Sequence, residues 1–243
     1  MGSSTAGQAS FATIGCFPKL NSSKPETGSD AFRLDVADDG IAVLTFDLPD
    51  EKVNVFSRSI LAELDLVLNR LTEVPAKGLL VCSGKPGQFI AGAKIEELLE
   101  NEENSMTDIL GSLERGQEVF GRFESLPFPT VALIDGACLG GGTEFALAMD
   151  ERVATNQPKT RIGLPEVNLG LIPGWGGTQR LPRIVGLDHA LKAVTTGKPF
   201  TAKEAEVIGL VFDAVPEERL MEEGRRVLAE LADGEKWKGR RQQ

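Results

Sequence analysis

Two glutamates, Glu144 and Glu166, each lie beside a glycine-rich turn. Glu144 closes the run Gly136-Ala-Cys-Leu-Gly-Gly-Gly-Thr-Glu144. Glu166 lies in Leu164-Pro-Glu-Val-Asn-Leu-Gly-Leu-Ile-Pro-Gly-Trp-Gly-Gly-Thr178. Two carboxylates can share one water and move two protons, while neighbouring backbone N–H groups hold a developing oxyanion. This is equipment for adding water across a double bond conjugated to a carbonyl. Such a reaction needs two bases, no metal and no covalent nucleophile.

Other chemistries fit the composition poorly. The chain has 243 residues and three cysteines, Cys16, Cys82 and Cys138, too scattered for a disulfide framework or a Cys-x-x-Cys site. With His189 as the single histidine, no metal site is expected, and a Ser-His-Asp triad is set aside because His189 falls in a plain helical run. A formal net charge of -10 argues against nucleic-acid binding, although local lysines can still hold an anionic ligand. No stretch reaches the roughly 18 apolar residues of a membrane span. Residues 1–30 are Ser-, Gly- and Thr-rich, without arginine or an apolar core segment, and read as a flexible leader. A reducing, cytoplasmic setting is the corresponding expectation.

The elements that must position the glutamates begin near Phe32. Phe32–Val36 and Ile41–Phe46 flank Asp38-Asp39-Gly40 as a hairpin. Ile60, Leu64, Val67, Leu68 and Leu71 fall at helical spacing within 57–71, before Pro75. Strands are expected at Gly78–Cys82, Val131–Ile134 and Arg152–Thr155, with helices around Ile109–Phe123 and Gly142–Met149. From Gly176 onward the pattern is mainly helical, with a capping box at Thr201-Ala-Lys-Glu204 and a last helix over Pro216–Leu231. The order is strand-strand-helix, an α/β chain with no evident linker; residues 31–243 read as one domain with C-terminal helices from about Leu187.

Gly140-Gly141-Gly142 follows one strand-like segment and opens a helix, so free N–H groups coincide with the positive end of a helix dipole. Taken alone, the triplet is better read as a tight strand-to-helix connection. The second glutamate with its own glycine turn tips the balance toward a site.

Together, several motifs resemble the crotonase (enoyl-CoA hydratase/isomerase) superfamily over about Phe32 to Leu231. They are Lys52-Val-Asn-Val-Phe56, Phe89-Ile-Ala-Gly-Ala93, the Gly136–Glu144 run, Pro158-Lys-Thr160, and Gly163-Leu-Pro-Glu166 continuing to Gly174-Trp-Gly-Gly-Thr-Gln-Arg-Leu-Pro182. Within it, the N-terminal hydratase half of the multifunctional fatty-acid oxidation α-subunit is most similar.

The resemblance implies a ββα spiral with a C-terminal helical layer. It implies that Ala93 and Gly141 donate to the thioester oxygen and that Glu144 orients and deprotonates the water attacking C3. Glu166 would protonate C2, or shuttle a proton between C4 and C2, and the Gly174 N–H would help hold the water. Coenzyme A would enter as part of the substrate, with no tightly bound cofactor. Its pantetheine would pass Ala91–Ala93 and Gly141, and its phosphates would lie near Lys52 and Lys94. Partners would be a second copy of the chain, or a thiolase subunit in the full-length protein.

Three departures follow. Lys94 stands where many relatives carry Asp, and reads as a phosphate contact or a solvated surface lysine. Trp175 replaces a small residue and either narrows the acyl pocket or folds outward. The chain stops soon after Leu231 without a Gly-x-Gly-x-x-Gly dinucleotide site, so it reads as the N-terminal domain of a longer, multifunctional enzyme whose dehydrogenase half would follow. The expected activity is 2-enoyl-CoA hydration in β-oxidation, with Δ3/Δ2-enoyl-CoA isomerase capability. Predominant isomerisation and an inactive binding or assembly module are the alternatives.

Overall fold

A computed structural model describes residues 31–95, 97 and 106–241. The expected leader, 1–30, and most of the acidic stretch Glu96–Thr107 lie outside the described residues.

Strands β1 (Phe32–Val36) and β2 (Ile41–Phe46) form the expected antiparallel hairpin. Helix α1 (Arg58–Glu73) follows; the Ser57 hydroxyl caps it by accepting from the Ile60 N–H, and Ile60, Leu61, Leu64, Val67, Leu68 and Leu71 form its buried stripe. Next come β3 (Gly78–Ser83), β4 (Gln88–Ile90) and α2 (Met106–Glu124), then β5 (Thr130–Ile134), β6 (Ala137–Leu139) and α3 (Gly141–Leu147). The third repeat brings β7 (Glu151–Thr155) and β8 (Arg161–Gly163), a short 3-10 turn at Glu166–Leu169 and α4 (Gly177–Val185). Beyond lie α5 (Leu187–Thr196), β9 (Phe200–Thr201), α6 (Ala202–Val207), β10 (Asp213–Val215), α7 (Leu220–Ala232) and α8 (Lys236–Arg240).

From β3 to β8, successive strands alternate between two sheets. One has the order β1-β2-β3-β5-β7-β10 and the other β4-β6-β8-β9; all pairings are parallel except β1–β2 and β8–β9. Each strand-strand-helix repeat therefore advances both sheets by one strand, which is a ββα spiral rather than a doubly wound sheet.

The large sheet is covered on both faces, which explains why its strands β2, β3 and β5 are mainly apolar on alternate residues facing either side. Ala42, Leu44, Leu79, Val81, Ala132 and Ile134 face the main core, while Val43, Leu80, Cys82, Val131 and Leu133 face the other way. That second face is covered by Leu220, Val227, Leu228 and Leu231 of α7 and by Trp237. The C-terminal helical layer is thus present, and its longest helix is packed directly on the sheet. Gly224 permits the approach, because a Cβ there would lie 2.3 Å from Leu133 Cδ2.

Aromatic rings run from the hairpin to the glycine turns. Phe32 stacks on Phe46 (4.5 Å between centroids), Phe46 on Phe56 (5.5 Å), and Phe56 meets Phe120 and Phe145 edge-on (both 5.4 Å). With no tyrosine in the sequence, this column makes no hydroxyl demands on the core.

Candidate active site

The glycine turn after β6 works because Gly140 adopts φ 52° at the N-cap of α3, a left-handed conformation that a Cβ would strain. Glu144 is the fourth residue of α3, in its first turn, and is only 2% exposed. Two bonds then draw the second glutamate alongside. Gly140 N–H donates to the Gly163 carbonyl at 2.9 Å, and the Thr143 hydroxyl sits between the Cys138 and Gly163 carbonyls at 2.6 and 2.8 Å. The Gly163-Leu-Pro-Glu166 segment is thereby pinned to the helix that carries Glu144. A Cβ on Gly140 would lie 3.2 Å from Glu166 Oε1, so Glu166 reaches back over that turn.

The second glycine run holds Glu144 itself. The N–H groups of Trp175 and Gly177 both donate to Glu144 Oε1 at 2.8 Å. Arg180 fixes the same loop from outside, donating to the Trp175 carbonyl at 2.7 Å while paired with Glu124 at 2.5 Å. Burial is the largest influence on Glu144 and raises its pKa to about 7; the Glu166 charge adds to this, against the two N–H groups and Arg180. Glu166 is also pushed above the usual carboxylate range, mainly by burial. Its Oε2 is buried with no hydrogen-bond partner among the described residues. Two neighbouring carboxyl groups that resist ionisation, one held by N–H donors and one with a buried oxygen that has no partner among the described residues, are suited to exchanging protons with a molecule between them.

Ala93 and Gly141 are brought together. A Cβ on Gly141 would lie 3.6 Å from Ala93 N, and one on Gly92 3.8 Å from Gly141 N. Neither amide has a hydrogen-bond acceptor among the described residues, and Gly141 is the first residue of α3. They are neighbouring donors at a helix N-terminus.

The Lys52–Phe56 motif positions this wall. Asn54 is fully buried; its amide nitrogen donates to the Phe46 carbonyl (2.8 Å) and the Ser83 hydroxyl (2.9 Å), and its oxygen accepts from Leu48 N–H (2.9 Å). Ala91 N–H donates to the Asn54 carbonyl, Phe56 N–H to Gly92, and Lys94 N–H to Phe56, each at 2.8 Å. Ala91 is therefore a half-buried part of this seam. Lys52 and Lys94 are exposed, and neither forms an ion pair among the described residues. Pro158-Lys-Thr160 has a scaffold role: Gly136 N–H donates to the Thr160 hydroxyl at 3.1 Å, at the turn between β5 and β6.

Gly174 lies next to the amides that hold Glu144. The Trp175 and Gly177 amides, not that of Gly174, hold Glu144, while the Gly174 carbonyl accepts from the Gln117 side chain at 2.8 Å. Sequence reading missed Asn54, Gly177 and Arg180 as positioning residues. The Asn inside an apolar run was the available signal for the first, since a buried amide requires several partners.

Trp175 folds inward. It is buried, meets Phe120 edge-on at 5.5 Å and Phe56 at 6.1 Å, and presses against both Gly116 and Gly141.

Comparison with known proteins matches this arrangement to a family. The enoyl-CoA hydratase/isomerase family model matches residues 37–240. The chain is 47% identical over 193 residues to the fatty acid oxidation complex subunit alpha of Idiomarina loihiensis, covering 79% of this chain and 27% of that protein. It is 49% identical over 191 residues to the same subunit of Shewanella halifaxensis, covering 78% of this chain and 27% of that protein. The chain thus spans about a quarter of the length of these relatives. An enoyl-CoA hydratase structure from Geobacillus kaustophilus superposes with a TM-score of 0.77 at 31% identity, covering 84% of this chain and 75% of that one. The motifs, the spiral and the family match converge: the chain belongs to the enoyl-CoA hydratase/isomerase family.

Proposed function

We propose that the chain hydrates 2-enoyl-CoA thioesters in fatty-acid β-oxidation, using Glu144 and Glu166 on one water. The observation that supports this most is the buried Glu144, held by two backbone N–H groups beside Glu166 and next to the Ala93 and Gly141 amides. In this reading Glu144 accepts a proton from water as its oxygen bonds to C3. The electron pair of the double bond moves onto the thioester oxygen, which Ala93 and Gly141 N–H stabilise. Glu166 then delivers a proton to C2, and exchange between the two carboxyls resets the pair. One oxyanion donor is worth about 3 kcal/mol in comparable sites.

Isomerisation is the second reading, favoured by the unpartnered Glu166 Oε2 and the raised pKa of that group. Glu166 alone would remove a proton from C4 and return it to C2.

Coenzyme A enters as part of the substrate, with the exposed Lys52 and Lys94 toward its phosphates and Ala91 toward its pantetheine. The Gly174 N–H helps hold the attacking water. Residues 31–243 are taken as one catalytic domain of a longer enzyme. The relatives are named as subunits of a complex, which supports assembly with another chain; the partner is taken to be a second copy or a thiolase subunit. The buried Cys82 and Cys138, which form no disulfide among the described residues, support a reducing, cytoplasmic setting. Among the described residues no helix is long and apolar enough to cross a membrane.

Crotonyl-CoA hydration, followed as loss of enoyl-thioester absorbance, tests the reading. Turnover that survives Glu144→Gln unchanged would exclude it.

A further inference from the structure

Trp175 is wedged beside the Ala93 and Gly141 amides. A Cβ built on Gly141 would lie 2.4 Å from its Cζ3, and one on Gly116 would lie 2.3 Å from Cδ1 and Nε1. The six-membered ring therefore covers the start of α3, and the five-membered ring occupies a notch in α2. Both neighbours are glycines, so the indole has been given room on two sides. Phe56 and Phe120 lock it edge-on.

Beside the Ala93 amide, the described residues leave a cavity of about 10 Å³, lined by Phe56, Leu61, Ala93, Lys94, Ser112 and Trp175 among others. That volume admits about one water and no hydrocarbon tail. The indole N–H is buried with no hydrogen-bond partner among the described residues. An orphaned buried donor is costly, and a phenyl or aliphatic side chain would fill the same notch without that cost. The full length of an indole is thus retained against a penalty.

Resting on the hydratase reading, we propose that Trp175 is a specificity-determining residue that closes the acyl pocket and restricts the site to short-chain 2-enoyl thioesters. Its backbone N–H keeps Glu144 in place, and its side chain sets how many carbons fit beyond C3. Trimming the ring should lengthen the accepted chain stepwise, since Phe56, Leu61 and Phe120 would line the space vacated.

The experiment compares kcat/KM for crotonyl-CoA, 2-hexenoyl-CoA and 2-decenoyl-CoA in the wild-type chain, Trp175→Phe and Trp175→Ala. Binding of butyryl-CoA and decanoyl-CoA is measured alongside by calorimetry. The wild type should favour the four-carbon over the ten-carbon substrate by at least about tenfold, and Trp175→Ala should lower that ratio by about tenfold or more. Trp175→Phe should fall between, with six carbons newly accepted. Because it keeps an aromatic ring against Phe120, it preserves the test if Trp175→Ala does not fold. Equal kcat/KM for four and ten carbons in the wild type would overturn the gate while leaving the hydratase reading intact. So would a folded Trp175→Phe with the wild-type ratio. Length-selective binding of the saturated thioesters without hydration would support the gate and overturn the hydratase reading.

Discussion

Trp175 donates its backbone N–H to Glu144 Oε1 at 2.8 Å, while its indole lies against Gly141, three residues before Glu144 on the same helix. One residue thus holds the carboxylate and packs on the amide proposed to face the substrate oxygen. Movement of the ring must disturb both.

That coupling is measurable. Gly141→Ala places a methyl 2.4 Å from Cζ3 of Trp175, closer than van der Waals contact allows. The expected loss is about 1–3 kcal/mol of stability, as for other overpacked cores. In Trp175→Phe the outer ring is gone, so the same alanine should cost less. A double-mutant cycle by denaturant unfolding should show a coupling of about 0.5–3 kcal/mol, and strict additivity would contradict the packing described.

The pH dependence follows from burial. Glu144 holds its proton up to about pH 7 when folded, against an ordinary value of 4.5. The folded chain therefore binds more protons than the unfolded chain between those values. The associated stability is fully present below about pH 4.5 and is lost as pH rises through about 7, a difference on the order of 3 kcal/mol. Activity should move oppositely, because the proposed base must be ionised. The acid limb of kcat/KM should inflect near 7 as a property of the carboxyl pair. Glu144→Gln should flatten the stability decline, as read from unfolding curves across pH. A wild-type stability that rises through the same interval would have the wrong sign.

Much of the scaffold was legible because it rests on local pattern. The hairpin at Asp38-Asp39-Gly40, the stripe of α1 and the capping box at Thr201 and Glu204 all follow from spacing alone. The three-residue strands β6 and β8 and the two-residue β9 were not legible, because so short a run shows no alternation. Pairing between distant segments defines them. The two glutamates were visible as carboxylates beside glycines. Which amides hold Glu144 was not, since the selection of Trp175 and Gly177 depends on how the loop closes over α3. The direction of the Trp175 side chain likewise depends on Gly116, a residue 59 positions away that carries no signal of its own.

The net charge of -10 gives the nucleotide end of the substrate a sharp test. Lys52 is exposed and forms no ion pair among the described residues, so its charge is available to a phosphate. Lys52→Glu should weaken binding of a CoA thioester several-fold and leave a pantetheine thioester nearly unaffected, measured by KM for both. Adding salt should shrink the difference, because an exposed contact is screened. Equal loss for both ligands would point to damage at the Asn54 seam instead.

Glu166→Gln tests the step that the two proposed activities share. Glu166 is the single carboxyl proposed to serve C2 in both, so hydration and Δ3/Δ2 isomerisation should fall together by about 10²–10⁴-fold. Circular dichroism should show an intact fold, because its Oε2 makes no hydrogen bond among the described residues. Retained isomerisation would remove Glu166 from the proton shuttle.

The most direct measurement is crotonyl-CoA hydration by the wild-type chain and by Glu144→Gln, with folding verified for both. The wild type should turn over, and the variant should lose about 10²–10⁴-fold in kcat while remaining at least as stable near pH 8. Equal turnover by the two proteins would contradict the assignment of Glu144 as the base that activates water.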